Sequence, residues 1–204
     1  MIKNNTQGLV PDEDQALIDG IKRGETGLFE TLVDKYSPRL YNFGLKICKS
    51  REDAEDLVQE SFINIFRYVK DFRQEASLKN WMYRIAASVC WKMKRKTGSI
   101  KEKDLSLEEL MPDHHASPEQ VPPAWAHEPV AQLLNQELSG QIQNAISRLP
   151  TPYRLVLVLR DMEGFSTDET ADILSITPAN VKVRLHRARL FVRDDLKEYY
   201  EHRP

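Results

Sequence analysis

Asn180, Val183, Arg184 and Arg187 recur at i, i+3, i+4 and i+7, a spacing that puts four side chains on one face of an α-helix. One amide, one small apolar group and two guanidiniums form a set that reads base edges in a DNA major groove. Arginine takes guanine, asparagine takes adenine, and a methyl-bearing side chain meets the thymine methyl. Val183 cannot donate a hydrogen bond, so a thymine methyl is its expected contact. Lys182, Arg189 and Arg193 flank this face and suit phosphates, which set register rather than sequence. Behind them, Val181, Leu185, Ala188, Val192, Leu196 and Tyr199 form one apolar stripe that must be buried.

A second set lies a hundred residues earlier. Asn80, Arg84, Ser88, Trp91 and Arg95 follow one another along a helical face beside an apolar stripe of Met82, Ile85, Ala86, Val89 and Met93. Interleaved amide, guanidinium, hydroxyl and indole groups suit a single strand, held by its backbone and by base stacking. Lys79 and Lys92 add charge, and Asp71–Ser77 forms a polar loop with one aromatic, Phe72, next to Arg73. Such a loop can receive an unstacked base. Trp81 is expected in the core beneath snorkelling arginine stems, and Trp91, set among Lys92, Lys94, Arg95 and Lys96, at a partly exposed site.

The elements that must position these groups are helices. Alternating β-branched runs are absent, and the periodic stretches are rich in Ala, Leu, Glu, Lys and Arg, which predicts an all-α fold. Helices are expected over 13–23, 25–36, 38–48, 51–69, 78–96, 131–148, 151–162, 167–174 and 178–200. Pro38 fits a first turn. Ser50 caps a helix whose first turn holds Glu52, Asp53, Glu55 and Asp56, at the positive end of the dipole. Ser166-Thr167-Asp168-Glu169 is a capping-box pattern. After the turn at Ser175-Ile176, Thr177 caps the next helix and Pro178 opens it. Short helix, tight turn and longer basic helix give a helix-turn-helix outline.

The chain has 204 residues and a formal net charge of −2, a balance that hides strong segregation. Residues 1–66 hold 12 acidic and 8 basic residues, and 67–103 hold 3 acidic and 11 basic. Residues 104–147 hold 7 acids and no Lys or Arg, while 148–204 hold 9 acidic and 10 basic residues. Such segregation speaks to partners rather than to fold. The acidic stretch also carries Pro112, Pro118, Pro122, Pro123 and Pro129, the composition of an extended linker. It divides the chain into a helical domain at 12–100, a linker at 101–130 and a second helical domain at 131–204.

In three blocks the sequence resembles an extracytoplasmic-function (ECF) RNA polymerase sigma factor. Asp56-Leu57-Val58-Gln59-Glu60-Ser61-Phe62 resembles the part of sigma region 2 that docks on core polymerase. Asp71-Phe72-Arg73 through Trp81-Met82-Tyr83-Arg84-Ile85-Ala86 resembles the stretch that melts the −10 element. Leu149-Pro150 through Arg160-Asp161, Glu169-Thr170-Ala171 and Val181 to Arg189 resemble the region 4 helix-turn-helix that reads the −35 element. The resemblance implies polymerase contacts at Asp53, Asp56, Gln59, Glu60, Phe62 and Asn64. It implies −10 contacts at Phe72, Arg73, Ser77, Lys79, Asn80, Trp81, Arg84, Ser88, Trp91, Lys92 and Arg95. For the −35 element it implies Thr167, Pro178, Asn180, Lys182, Val183, Arg184, Arg187 and Arg189. The implied partners are the β and β′ subunits of core RNA polymerase, promoter DNA and an anti-sigma factor. No small-molecule substrate, cofactor, metal or catalytic step is implied, and the implied compartment is the cytoplasm. The family's linker resembles a strand lying in polymerase channels, where an acidic segment would suit a basic wall. On that expectation, Lys at Asp113, Glu119 and Glu128 weakens assembly or initiation. The sequence departs from the family in carrying Ser88 where Asn is usual, Ala179-Asn180 in place of Gly-Thr, and Val183 in place of Ser. Promoter sequence therefore does not transfer from a relative.

The rival reading is a stand-alone helix-turn-helix regulator binding duplex operators as a dimer. It accounts for 149–200 but not for the basic, Trp-bearing helix together with the acidic 51–60 segment. An enzyme is weakly supported. His114, His115 and His127, with Asp113 or Glu128, lie in the Pro-rich stretch without a supporting shell. Cys48 and Cys90 lack CxxC spacing and read as buried free thiols. No phosphate loop or nucleophile elbow occurs. No apolar run is long enough to span a membrane, and Met1–Asp14 lacks the apolar stretch of a signal peptide.

Overall fold

A computed structural model describes residues 13–48, 50–73, 77–96 and 131–201. Among the described residues every regular element is helical. The acidic linker at 101–130, with Asp113, Glu119, Glu128 and the three histidines, lies outside the described residues.

The N-terminal bundle begins with α1, Glu13–Arg23, whose acids stand in the first turn and bases in the last, each facing the favourable end of the dipole. Leu17, Ile18 and Ile21 face inward. The Tyr36 hydroxyl donates to Asp14 Oδ2 at 2.5 Å. Lys35 pairs with Asp14 at 2.9 Å and Glu13 at 3.1 Å; Asp14 first, then Glu13, holds its ammonium above the usual lysine value.

The expected pair of helices at 25–36 and 38–48 is one continuous helix, α2, Leu28–Ile47, with Pro38 in its interior. Proline removes one intrahelical bond, to the carbonyl of Asp34. Both Pro38 and Asp34 are exposed, so that carbonyl can turn to water. The buried series Leu32, Tyr36, Leu40, Phe43 and Ile47 runs unbroken past the proline, and tertiary burial decides the outcome. In α3, Arg51–Tyr68, the Ser50 Oγ accepts from Asp53 N at 3.0 Å, as its capping role requires. A 3₁₀ turn at Val69–Asp71 follows. α2 and α3 meet closely at Gly44, where an added Cβ would lie 3.1–3.3 Å from Ala54 atoms. α4 spans Leu78–Lys96, and the Ser77 Oγ accepts from Asn80 N at 3.2 Å.

The C-terminal bundle comprises α5, Ala131–Arg148, and α6, Thr151–Leu157, which widens into a π turn at Val158–Met162. It continues with α7, Thr167–Leu174, and α8, Pro178–Glu201. The expected single helix over 151–162 thus changes hydrogen-bond register at its end, with Glu163 N donating to Val158 O at 2.9 Å. Gly164, at φ 75°, breaks the chain out of the helix. Both arms of the Ser166/Glu169 capping box are formed. Ser175 takes the left-handed conformation, φ 54°, at the turn, and Thr177 Oγ1 accepts from Asn180 N at 3.2 Å.

The two bundles share one apolar core. Tyr83 of α4 lies edge-on between Phe43 of α2 at 5.0 Å and Phe165 after the π turn at 4.8 Å. Arg154 of α6 is only 3% exposed. Its guanidinium donates to Ile47 O at 3.0 Å, to Leu149 O at 2.7 Å and to Ser147 O. One side chain thereby satisfies carbonyls at the ends of α2 and α5, where helices leave them open.

Candidate functional site

The residues singled out from the sequence fall on three surfaces. On α3, Asp56, Gln59 and Glu60 are exposed and Asp53 is half-buried. Phe62 and Asn64 are buried. Asn64 Nδ2 donates to the Glu60 carbonyl at 2.7 Å and to Glu60 Oε1 at 3.3 Å, so its side chain positions Glu60 from behind. Phe62 lies in a groove of about 820 Å³ between α2 and α3, walled by Phe29, Val33, Val58, Ile63 and Phe66. Glu55, Gln59 and Arg67 also line it. Phe66 is 65% exposed and stacks edge-on against Phe29 at 5.0 Å. Ile63 and Phe66 were not among the residues expected at this surface. Their signal is that α3 carries two apolar stripes: Ala54, Leu57 and Ile65 face the core, whereas Val58, Phe62, Ile63 and Phe66 face the groove.

On α4 the picture is mixed. Phe72 is buried, with its ring 4.9 Å from Trp81, and its carbonyl accepts from Lys22 Nζ at 2.5 Å. Trp81 and Trp91 are both half-buried against the core. Arg73, Ser77, Ser88 and Lys92 are exposed; the Arg95 side chain lies outside the described ones. Lys79, Asn80 and Arg84 reach the C-terminal bundle. Lys79 Nζ donates to the Glu163 carbonyl at 3.1 Å and sits 4.3 Å from the Phe165 ring centroid, a cation–π distance. Asn80 Nδ2 donates to Glu169 Oε1 at 3.1 Å. Arg84 donates twice to the Asp172 carbonyl, at 3.0 and 2.7 Å. Glu169 also accepts from Ser166 N at 2.8 Å; that bond first, then Asn80, holds its carboxyl below the usual range.

Sequence reasoning missed the acid at the centre of this contact. Glu163 Oε1 accepts from Lys46 Nζ at 2.7 Å, and Oε2 from the Tyr83 hydroxyl at 2.6 Å. Burial first, and the Glu163 bond second, push the Tyr83 phenol well above its ordinary value. The only hint in the sequence is an acid beside Gly164 at the end of an apolar helix.

On α8 the buried side is Val181, Leu185, Ala188 and Leu196; of the rest of the expected stripe, Val192 is half-buried and the Tyr199 side chain lies outside the described ones. Pro178, Asn180 and Lys182 are exposed, and Val183 is 48% exposed. Arg184, Arg187 and Thr167 are half-buried. Arg189 is held in a two-pronged pair with Asp161, at 2.8 and 2.6 Å, which raises its pKa further and ties α8 to the π turn. The two free cysteines, Cys48 and Cys90, both line a small cleft. Burial raises their thiols to about 12 and about 11, which keeps them as protonated thiols rather than nucleophiles. No group of three or more metal-ligating side chains occurs among the described residues.

Taken together, α3, α4 and α8 each pair a buried apolar side with a polar one in a protein that is helical throughout its described residues. Comparison with known proteins gives it a family. Residues 32–100 match the Sigma-70 region 2 model and residues 139–192 the Sigma-70 region 4 model. The chain is 30% identical over 182 residues to the ECF RNA polymerase sigma factor SigW of Bacillus subtilis, covering 89% of this chain and 95% of that one. It is 28% identical over 184 residues to the RNA polymerase sigma-H factor of Pseudomonas aeruginosa, covering 89% and 92%. Against the ECF RNA polymerase sigma factor SigE of Mycolicibacterium smegmatis it is 30% identical over 172 residues, covering 84% of this chain and 62% of that longer protein. In fold it is similar to CnrH, solved in complex with the cytosolic domain of CnrY, with a TM-score of 0.63 at 20% identity, covering 92% and 99%. It is also similar to the sigma factor RpoE of Bartonella quintana, solved with the anti-sigma factor NepR, with a TM-score of 0.54 at 20% identity, covering 83% and 96%. The chain belongs to the ECF RNA polymerase sigma factor family.

Proposed function

We propose that this protein is an alternative sigma factor that binds core RNA polymerase and directs promoter-specific initiation. The observation that carries the reading is the apolar groove between α2 and α3, present in the same chain as the helix-turn-helix of α7 and α8. A stand-alone operator-binding regulator uses the second feature and has no need of the first. Asp56, Gln59 and Glu60 rim the docking face, Asn64 holds Glu60 in place, and Phe62, Ile63 and Phe66 supply the buried contact area. On the −35 element, α8 lies in the major groove. There Asn180, Val183, Arg184 and Arg187 meet base edges and Lys182 meets phosphate. Thr167 and Pro178 sit at the helix N-termini, where backbone N–H groups favour phosphate. On the −10 element, Lys79, Asn80, Arg84, Ser88, Lys92 and Arg95 grip the melted strand, while Arg73 and Ser77 meet an unstacked base. Trp91 offers a stacking edge. Phe72 and Trp81, packed on each other, back Arg73. Unstacking a base costs a few kcal/mol, offset by stacking and phosphate contacts that weaken steeply with salt.

The protein contributes binding and no chemistry of its own. It works where polymerase works, in the cytoplasm; no described helix is long and apolar enough to cross a membrane. An anti-sigma factor is the regulatory partner that the similarity to RpoE, solved with the anti-sigma factor NepR, supports. The test is a pull-down with core polymerase followed by transcription in vitro. Capture of core enzyme and initiation at discrete sites support the reading. Dimeric binding to duplex operators without polymerase overturns it.

A further inference from the structure

Cys48 closes α2 and Cys90 lies within α4, yet both line one cleft of about 30 Å³, shared with Met93, Lys94 and Asp53. That is room for a single ion and little else. Cys48 is half-buried and Cys90 is 1% exposed. The Cys48 thiol donates only weakly, to the Asp53 carbonyl at 3.6 Å. Neither thiol takes part in the proposed polymerase, −10 or −35 contacts.

Two thiols and a thioether around one small space form a soft donor set. Burial is the first cause that keeps both thiols protonated, a state in which sulfur reacts slowly with oxidants and electrophiles. A metal ion removes that obstacle, because coordination deprotonates the thiol outright. No further His, Cys, Asp or Glu side chain makes up a group of three with them among the described residues, whereas a structural zinc takes four ligands. Soft sulfur ligands otherwise select Cu(I).

We propose that the cleft between α2 and α4 binds one Cu(I) ion, with the Cys48 and Cys90 sulfurs as its ligands and the Met93 thioether beside it. On binding, both S–H bonds break, two protons pass to water and two S–Cu bonds form; no electron is transferred. The weak bond from Cys48 to Asp53 is given up. Two thiolates and one monovalent cation leave a single negative charge, and Lys94 and Arg154 act on both thiols with the opposite sign. The ion ties the end of α2 to α4, one residue from the Ile47 carbonyl that Arg154 holds at 3.0 Å.

The test uses the full chain, reduced and free of oxygen. Cu(I) is titrated in against a competing chelator, and the sulfur neighbours of the bound metal are counted by X-ray absorption. One Cu(I) per chain is expected, with two thiolate sulfurs in its shell. Cys48→Ser should weaken binding by more than about 100-fold, beyond the loss usual for an outer partner of a metal site. Lys94→Gln should weaken it by about tenfold and leave the sulfur shell unchanged. Cys90→Ala should abolish the site as Cys48→Ser does, with helix content measured alongside; if that buried position does not tolerate alanine, the half-buried Cys48 carries the test. Bound Cu(I) should raise the thermal midpoint of wild type and leave that of Cys48→Ser where it is. Equal Cu(I) affinity of wild type and Cys48→Ser overturns the site. So does a metal shell without two sulfurs, or one Cu(I) shared between two chains.

Discussion

α4 and α8 are two basic helices built to one plan. Each has an apolar stripe inward and an amide and guanidinium on a polar face, yet the two faces differ in what they bond to. The polar face of α8 starts at an exposed turn and keeps Asn180, Lys182 and Val183 in solvent. On that of α4, Lys79, Asn80 and Arg84 bond to the other bundle, while Ser88 and Lys92 stay exposed. The difference does not lie in the faces themselves. It lies in Tyr83 and Ala87, both buried beside the polar face of α4, which make α4 apolar on two sides and call for a second layer. A helical face shows what it is able to bind; the residues at its edges decide whether it is free to do so.

Several measurements would break or sharpen that contrast. The largest effect belongs to Arg154, since Arg154→Ala leaves the carbonyls of Ile47, Ser147 and Leu149 without their donor. At about 1–3 kcal/mol for each buried unsatisfied group, stability should fall by about 3 kcal/mol or more. The single denaturation transition should split as the bundles part. A loss under about 1 kcal/mol would mean the shared core does not depend on this clasp.

Next comes Asn180→Ala on the open helix. Promoter binding by the holoenzyme should weaken by about 1–3 kcal/mol, the worth of a good base contact. Stability should change by no more than about 0.5 kcal/mol, as for an exposed site. A matching loss of stability would place Asn180 in the fold instead of the interface. Val183→Ser should do less to affinity and more to preference, shifting one position of a −35 binding selection away from thymine. An unchanged selection removes Val183 from the readout.

The smallest effect is a titration. Glu169 is held below its ordinary value by Ser166 N–H and then by Asn80. A depressed carboxyl stabilises the fold above its unfolded pKa, and the contribution is lost as pH falls through the lower folded value. The cap of α7 and its tie to α4 should therefore loosen only in acid. Asn80→Ala should move the Glu169 carboxyl back toward its ordinary value, followed by NMR titration. No movement would mean that the Asn80–Glu169 bond is not kept in solution.

Much of this was legible in the residues. The helices at 13–23, 51–69, 78–96, 167–174 and 178–200 followed from apolar period and capping residues, because those signals are local. Pro38 misled, since the burial that carries α2 through it is tertiary. The π turn at 158–162 was hidden because apolar residues continue through it. The α8 surface was readable because its stripe and outward face lie on one element. Glu163 was not, because Lys46, Lys79 and Tyr83 meet it across 80 residues or more of sequence. Arg189 read as a phosphate contact, and its pairing with Asp161 is equally non-local.

The most direct test of the central claim is transcription in vitro by core polymerase with and without this protein, on a genomic promoter library read out as start sites. A sigma factor yields discrete start sites that depend on its addition, each preceded by two elements at one fixed spacing. Start sites that do not change on its addition, together with dimeric footprints on duplex DNA in the absence of polymerase, would contradict the account.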